Sequence, residues 1–187
     1  MAYLIREQLE TMGFKAVGEN VKVSDKASIY NPDMIELGDY SRIDDFCVIS
    51  GRVAIGKYVH IAPFCLVAGG EKGVFMDDFC GLAYGVQVFS QSDDYSGRTL
   101  TNPTVSGKYK NERKAVVRIG RHVIIGASSM VFPGVDLAEG CSVGAMTLVN
   151  KSTQPWGTYA GNPARRIKDR KQDLLELEAQ FLKEQRE

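Results

Sequence analysis

Histidine is scarce in this chain: 187 residues contain two, His60 and His122, and one tryptophan, Trp156. Two histidines cannot furnish a three-histidine zinc site, which removes the hydration chemistry such sites perform. No sign of charge dominates. Twenty-three basic residues balance 23 acidic ones, so the footprint expected for a nucleic-acid or anionic-lipid partner is missing. No stretch approaches the 18 consecutive apolar residues of a membrane span. The opening MAYLIREQLE carries charge within six residues and does not read as a secretory signal. The expected location is therefore the cytoplasm. The four cysteines show neither CxxC nor Cys/His ligand spacing, which argues against a bound metal.

What the chain does have is a period of six. From residue 119 to residue 149, Ile119, Ile125, Val131, Leu137, Val143 and Val149 hold one register. Glycine follows several of them, and four places after each stands Val123, Ser129, Val135, Cys141 or Thr147. A helix repeats at 3.6 residues and a strand at 2, so this pattern is neither alone. Fixed-period self-similarity marks a solenoid, and a hexapeptide period marks a parallel β-helix. The same register runs through Leu37, Ile43, Ile49, Ile55, Ile61 and Val67. It is weaker at Val23, Ile29 and Ile35, slips at Leu37, and gains three residues around Gly69 to Gly73, where a small protrusion is expected. It resumes at Met76, Leu82 and Val88.

Cys47, Cys65, Cys80 and Cys141 fall on the small inward slot and read as reduced core residues. Cys47 and Cys65 stand one three-hexad coil apart, close enough for a bridge to be geometrically conceivable, but the reduced reading is preferred.

The expected organisation is one domain over residues 1–187. It comprises an N-terminal helical segment (1–22, with the helix itself over 1–14), a β-helix over 23–160, and a C-terminal segment over 161–187 with a helix over 167–186. An excursion loop spans 90–116, where the period vanishes and Gly, Pro and polar residues take over. Loops of that length on a regular scaffold are often functional.

The hexapeptide array, the excursion loop and the closing YAGNPARRI resemble the left-handed β-helix acyltransferases, above all the maltose/galactoside O-acetyltransferase group and the sugar O-acetyltransferases of polysaccharide biosynthesis. The resemblance covers roughly residues 37–170. It implies a left-handed coil, a homotrimer with active sites between subunits, and acetyl-CoA as acyl donor. It further implies that the pantetheine arm lies against small residues such as Gly126, Ala127, Gly144 and Ala145. Pro163, Arg165 and Arg166 stand where the family places the nucleotide end. Arginine forks suit phosphates, although ordinary solvated charge explains the pair equally well. Trp156 is read as closing the coil end rather than stacking on a base.

Acetyl transfer to a hydroxyl requires a base near the acceptor oxygen, and in this family the base is commonly histidine. His122 falls at a corner and is expected to be an exposed surface residue. His60 immediately precedes inward Ile61, so strand alternation turns it outward. Counting coils places Arg42 one coil before it and Gly81 one coil after, which leaves a hollow for an acceptor. Relatives resembling the galactoside enzyme carry their histidine in the excursion loop. Here that place reads Phe89 to Tyr95, with Asp93 at the histidine position.

The expectation is that His60 acts as base and is paired across a subunit interface with Asp93, with Asp94, Tyr95, Gly81 and Arg42 near the acceptor. The alternative for Asp93 and Asp94 is a capped turn at Tyr95-Ser96-Gly97.

Three rivals remain. A γ-class carbonic anhydrase lacks its histidines here, and a non-catalytic scaffold sits poorly with the loop and the GNPARR tail. An amine acceptor on a nucleotide-linked sugar is the third. Only about 36 residues precede the firm repeat, too few for the extra nucleotide-binding domain that such enzymes often carry. The expected reaction is therefore O-acetylation of a sugar hydroxyl.

Overall fold

In the computed structural model, which describes residues 2–185, the six-residue period winds into a left-handed parallel β-helix of about seven coils. One face stacks Lys22–Val23, Arg42–Ile43, His60–Ile61, Gly81–Leu82, Ile124–Ile125, Ser142–Val143 and Gly157–Ala160 in parallel register. The second face carries Gln87–Phe89 between Leu66–Ala68 and Met130–Val131. The third carries Val117–Ile119 between Val74–Met76 and Asp136–Leu137.

The register places one aliphatic per hexad on the axis. Ile61, Val67, Ile125 and Val131 are completely buried, each such burial contributing about 1.5–3 kcal/mol. The four cysteines occupy buried slots as free thiols, without the conceivable Cys47–Cys65 bridge. Burial pushes the Cys80 thiol up to about 12, so it stays protonated.

Both ends depart from expectation. The N-terminal helix is shorter, Arg6–Thr11 (α1), and the first coil already begins at Ala16–Val17, paired with Glu36–Leu37. The short weak hexads hid that start. At the other end the C-terminal helix is Leu174–Glu184 (α2), and Arg165–Asp169 is instead a strand antiparallel to Gly157–Ala160. The last coil would otherwise present an unpaired edge, and the returning strand covers it. The three extra residues near Gly70 do not form a loop. They are absorbed within one long strand, Leu66–Met76, by register shifts around Gly51. The excursion loop leaves the corner between the second and third faces, and its base is a short antiparallel pair, Gln91–Ser92 with Arg113–Lys114.

His122 corrects the sequence reading most plainly. It is 7% exposed, not a solvent-facing corner. At that corner Tyr40, Tyr58, Phe79, His122 and Trp156 all take left-handed backbone angles, with φ between 54° and 60°. Their rings pile coil upon coil, with centroids 5.0 Å apart for Tyr40–Tyr58, 4.9 Å for Tyr58–Phe79 and 5.3 Å for Phe79–His122. Phe181 of α2 sits edge-on against Tyr58 and Phe79 and closes the ladder. Trp156 ends it by lying over Gly140, where an added Cβ would come within 2.3 Å of the indole. Aromatic side chains recurring 18 residues apart, Tyr40 to Tyr58, were the legible sign of this stack.

Candidate active site

Strand alternation turns His60 outward, and its side chain is 50% exposed. Arg42 and Gly81 are its direct register partners in the coils on either side. The absent side chain of Gly81 opens a hollow of about 240 Å³ lined by His60, Ala62, Gly81, Ala83, Tyr84 and Ile124. A Cβ added at Gly81 would meet only Ile124 Cγ1, at 4.0 Å.

The carboxylate that meets His60 within the chain is Asp44. His60 Nε2 lies 2.8 Å from Asp44 Oδ2. Arg42 grips the same carboxylate with both arms of its fork, Nε to Oδ1 at 2.6 Å and Nη2 to Oδ2 at 3.0 Å. The Tyr3 hydroxyl donates to Oδ1 at 3.2 Å from the N-terminal segment. Asp44 itself is 2% exposed. Burial alone would raise its pKa, but the hydrogen bonds from Arg42 and His60 outweigh it and hold the carboxyl below its ordinary value, so it is ionised.

Sequence reasoning passed over Asp44, yet a sign of it was present. The slot after each inward aliphatic on this face holds Ser24, Asp44, Ala62, Ala83, Gly126 and Gly144. One acid among small residues is the anomaly.

The excursion loop separates its two aspartates. Asp94 accepts from the Ser96 backbone N–H and hydroxyl, both at 2.8 Å, and from the Thr99 hydroxyl at 3.1 Å. That is the turn cap weighed as its alternative. Asp93 accepts a longer bond from the Asn102 backbone N–H, at 3.3 Å. It lines a trough of about 390 Å³ with Phe89, Gln91, Tyr95, Pro103 and Glu112. Tyr95 is 89% exposed.

Among the expected donor-binding residues, Gly126 and Gly144 serve coil packing. A Cβ on Gly126 would lie 2.5 Å from the Ala145 backbone nitrogen, and one on Gly144 would lie 3.2 Å from the Ala160 Cβ. Ala127 is half-buried and Ala145 exposed. Beside them Ser128, Met130, Met146, Leu148 and Asn162 line a hollow of about 160 Å³. Pro163 lies in the exposed turn that leads to the final strand. Arg165 donates to the Ala164 carbonyl at 3.1 Å, and Arg166 pairs with Asp169 at 2.6 Å.

A left-handed hexapeptide coil, an outward histidine over a hollow and a polar excursion loop define the class. The chain belongs to the bacterial hexapeptide acyltransferases, and residues 34–69 match the family's six-repeat transferase model.

Within that class its full-length relatives are sugar N-acyltransferases. It is 45% identical over 184 residues to dTDP-4-amino-4,6-dideoxy-D-glucose acyltransferase of Escherichia coli, covering 97% of this chain and 95% of that one. An N-acyltransferase of Bacillus cereus, solved with dTDP and 3-hydroxybutyryl-CoA, superposes with a TM-score of 0.97 at 46% identity, covering 99% and 98%. A point mutant of that enzyme has also been solved with dTDP-4-amino-4,6-dideoxyglucose and coenzyme A. A maltose O-acetyltransferase of Clostridium difficile shares the fold alone, with a TM-score of 0.57 at 22% identity over 89% of this chain and 75% of that one.

These likenesses undercut the size argument used against an amine acceptor. Relatives named for nucleotide-linked amino sugars span the same length as this chain, with no room for an added nucleotide-binding domain.

Proposed function

We propose that the protein transfers an acyl group from acyl-coenzyme A to the 4-amino group of a dTDP-4-amino-4,6-dideoxyhexose, forming an amide. The observation that carries this reading is the end-to-end match, at 45–47% identity, to an acyltransferase named for that sugar nucleotide and to an N-acyltransferase solved with it and with coenzyme A or 3-hydroxybutyryl-CoA. Hydroxyl acetylation rested on a looser resemblance, and its solved representative supports the fold only.

The change of acceptor changes what the site must do. A sugar amine arrives largely as an ammonium ion, so it must shed one proton to become a nucleophile and a second after attack. An acid group that attracts the ammonium becomes useful, as does a base of moderate strength. Asp93 in the loop suits the first task, presented at the seam of a homotrimer to the hollow of a neighbouring subunit. His60 suits the second. Asp44 already fills the carboxylate role beside His60, so Asp93 is not needed to orient the imidazole.

The acyl donor supplies an activated thioester carbonyl. In the transfer the amine nitrogen forms the C–N bond and the C–S bond breaks. The ammonium loses its first proton to solvent before attack; His60 then takes the second proton from nitrogen and passes it to the departing sulfur. Ala127 and Ala145 offer small side chains, and the hollow beside Met130 and Met146 an apolar lining, for the pantetheine arm. Arg165 and Arg166 stand at the phosphate end. Cytoplasmic location belongs to the same reading. Among the described residues no helix is long and apolar enough to cross a membrane.

The test is an acceptor comparison. Purified protein with acetyl-CoA or 3-hydroxybutyryl-CoA is given dTDP-4-amino-4,6-dideoxyglucose, or maltose and a galactoside. Thiol release and the product mass are followed. Release with the amine and not with the neutral sugars is expected. The reverse pattern overturns the proposal.

A further inference from the structure

The Arg42–Asp44–His60 cluster has a property that its members lack singly. Asp44 is buried and its carboxylate is clamped: Oδ1 takes Arg42 Nε and the Tyr3 hydroxyl, and Oδ2 takes Arg42 Nη2 and His60 Nε2. An ionised carboxylate is acceptor-only, so a neutral imidazole bonded to it must donate from Nε2 and keep its lone pair on Nδ1. The clamp leaves the carboxylate little freedom to turn. Arg42 sits on the preceding coil in direct register with His60, and Tyr3 is held across the first coil by its bridge to Ser24. The imidazole is thereby held from its inner edge while its half-exposed side chain lines the hollow beside Gly81.

We infer that Asp44 is a positioning residue of the acyl-transfer site, fixing the tautomer and ring orientation of His60 so that Nδ1 is the nitrogen that accepts the proton, with Arg42 holding the carboxylate in place. This rests on the assignment of His60 as the proton acceptor. It makes the acid–imidazole unit intramolecular, built into two consecutive coils and independent of how subunits meet. Nothing about Asp44 requires it to touch either substrate. Its effect passes through His60, as a triad aspartate acts through its histidine.

The full-length protein labelled with ¹⁵N-histidine contains two imidazoles, those of His60 and His122, and His60→Ala assigns them. The wild type is expected to show His60 with a protonated, pyrrole-like Nε2 and a pyridine-like Nδ1. In Asp44→Asn that pattern is lost and kcat falls at least about 100-fold, within the 10²–10⁴ that a positioned general base contributes. The KM for acyl-CoA stays within about threefold, because no donor contact is removed. Asp44→Glu recovers part of the rate by restoring a carboxylate.

A wild-type spectrum with the proton on Nδ1 overturns the inference. So does an Asp44→Asn enzyme of normal kcat when His60→Ala is inactive, and in that case the base assignment survives. His60→Ala at wild-type turnover removes the base assignment itself and with it the role of Asp44 in the reaction. Should Asp44→Asn not fold, the wild-type spectrum decides alone.

Discussion

His122 Nε2 lies 2.7 Å from Glu178 Oε2, a contact across 56 residues that fastens α2 to the aromatic corner of the coil. Arg121 pairs with the same carboxylate, and Arg170 donates to the His122 carbonyl at 2.7 Å. The second histidine is thus a structural residue, and the helix that buries it seals the column of rings that runs from Tyr40 to Trp156.

Replacing Glu178 by alanine leaves the buried imidazole N–H without its acceptor. A cost of roughly 1–3 kcal/mol is expected, lowering Tm by several degrees for a chain of this size. Turnover at 25 °C should be unchanged. Calorimetry with a parallel activity assay checks both. An unaltered Tm would mean that α2 is not held through this contact.

Two glycines on the same face should respond in opposite ways. Gly126→Ala drives a Cβ into the Ala145 backbone at 2.5 Å, overpacking that costs about 1–3 kcal/mol or more. Gly81→Ala meets only Ile124 Cγ1 at 4.0 Å, so the fold tolerates it. The added methyl intrudes on the hollow beside His60 and should raise the KM for the sugar nucleotide on the order of 10-fold. Melting curves and steady-state kinetics of the two variants distinguish packing from acceptor binding.

Adjacent aspartates should separate in the same manner. Asp94→Ala removes the turn cap formed with Ser96 and Thr99 and is expected to loosen the loop. Faster proteolysis between residues 93 and 110 is the readout. Asp93→Asn keeps the shape and removes the charge offered to the ammonium, so kcat/KM should fall at least about 10-fold. Equal kinetic losses with equal loop protection in both variants would deny the division of labour.

Acid stability carries the signature of Asp44. Its folded pKa lies below the ordinary 3.8, so its contribution is complete above pH 3.8 and is lost as pH falls through the folded value. Resistance to urea unfolding in the wild type should therefore weaken as pH falls below the ordinary carboxylate value of 3.8. In Asp44→Asn the decline over that window should be shallower, although the variant starts from lower stability at pH 7. Parallel slopes would show that other carboxylates govern acid unfolding.

At the donor end, Arg165→Ala should raise the KM for acyl-CoA several-fold, since forked phosphate contacts are strong. Arg166→Ala should do less, because Asp169 already engages that guanidinium. A reversed order would exchange their roles.

Much of the candidate site was legible because a six-residue period makes slot counting a form of geometry. Arg42, His60 and Gly81 were placed in one column by arithmetic, and they are register partners. The four cysteines and the inward aliphatics followed from the same count. Counting has no term for what returns from far away. It left His122 exposed because it could not see α2, and it could not tell that the Asp44 carboxylate, 16 residues before His60, would be gripped from both sides.

The amino-acid order alone determined the coil, its register and the face on which His60 stands, because those depend on local alternation repeated at a constant interval. Only the folded chain decided which acid meets His60, which histidine is buried and how the last edge is closed, because those depend on side chains brought together by winding and by the returning C-terminal segment.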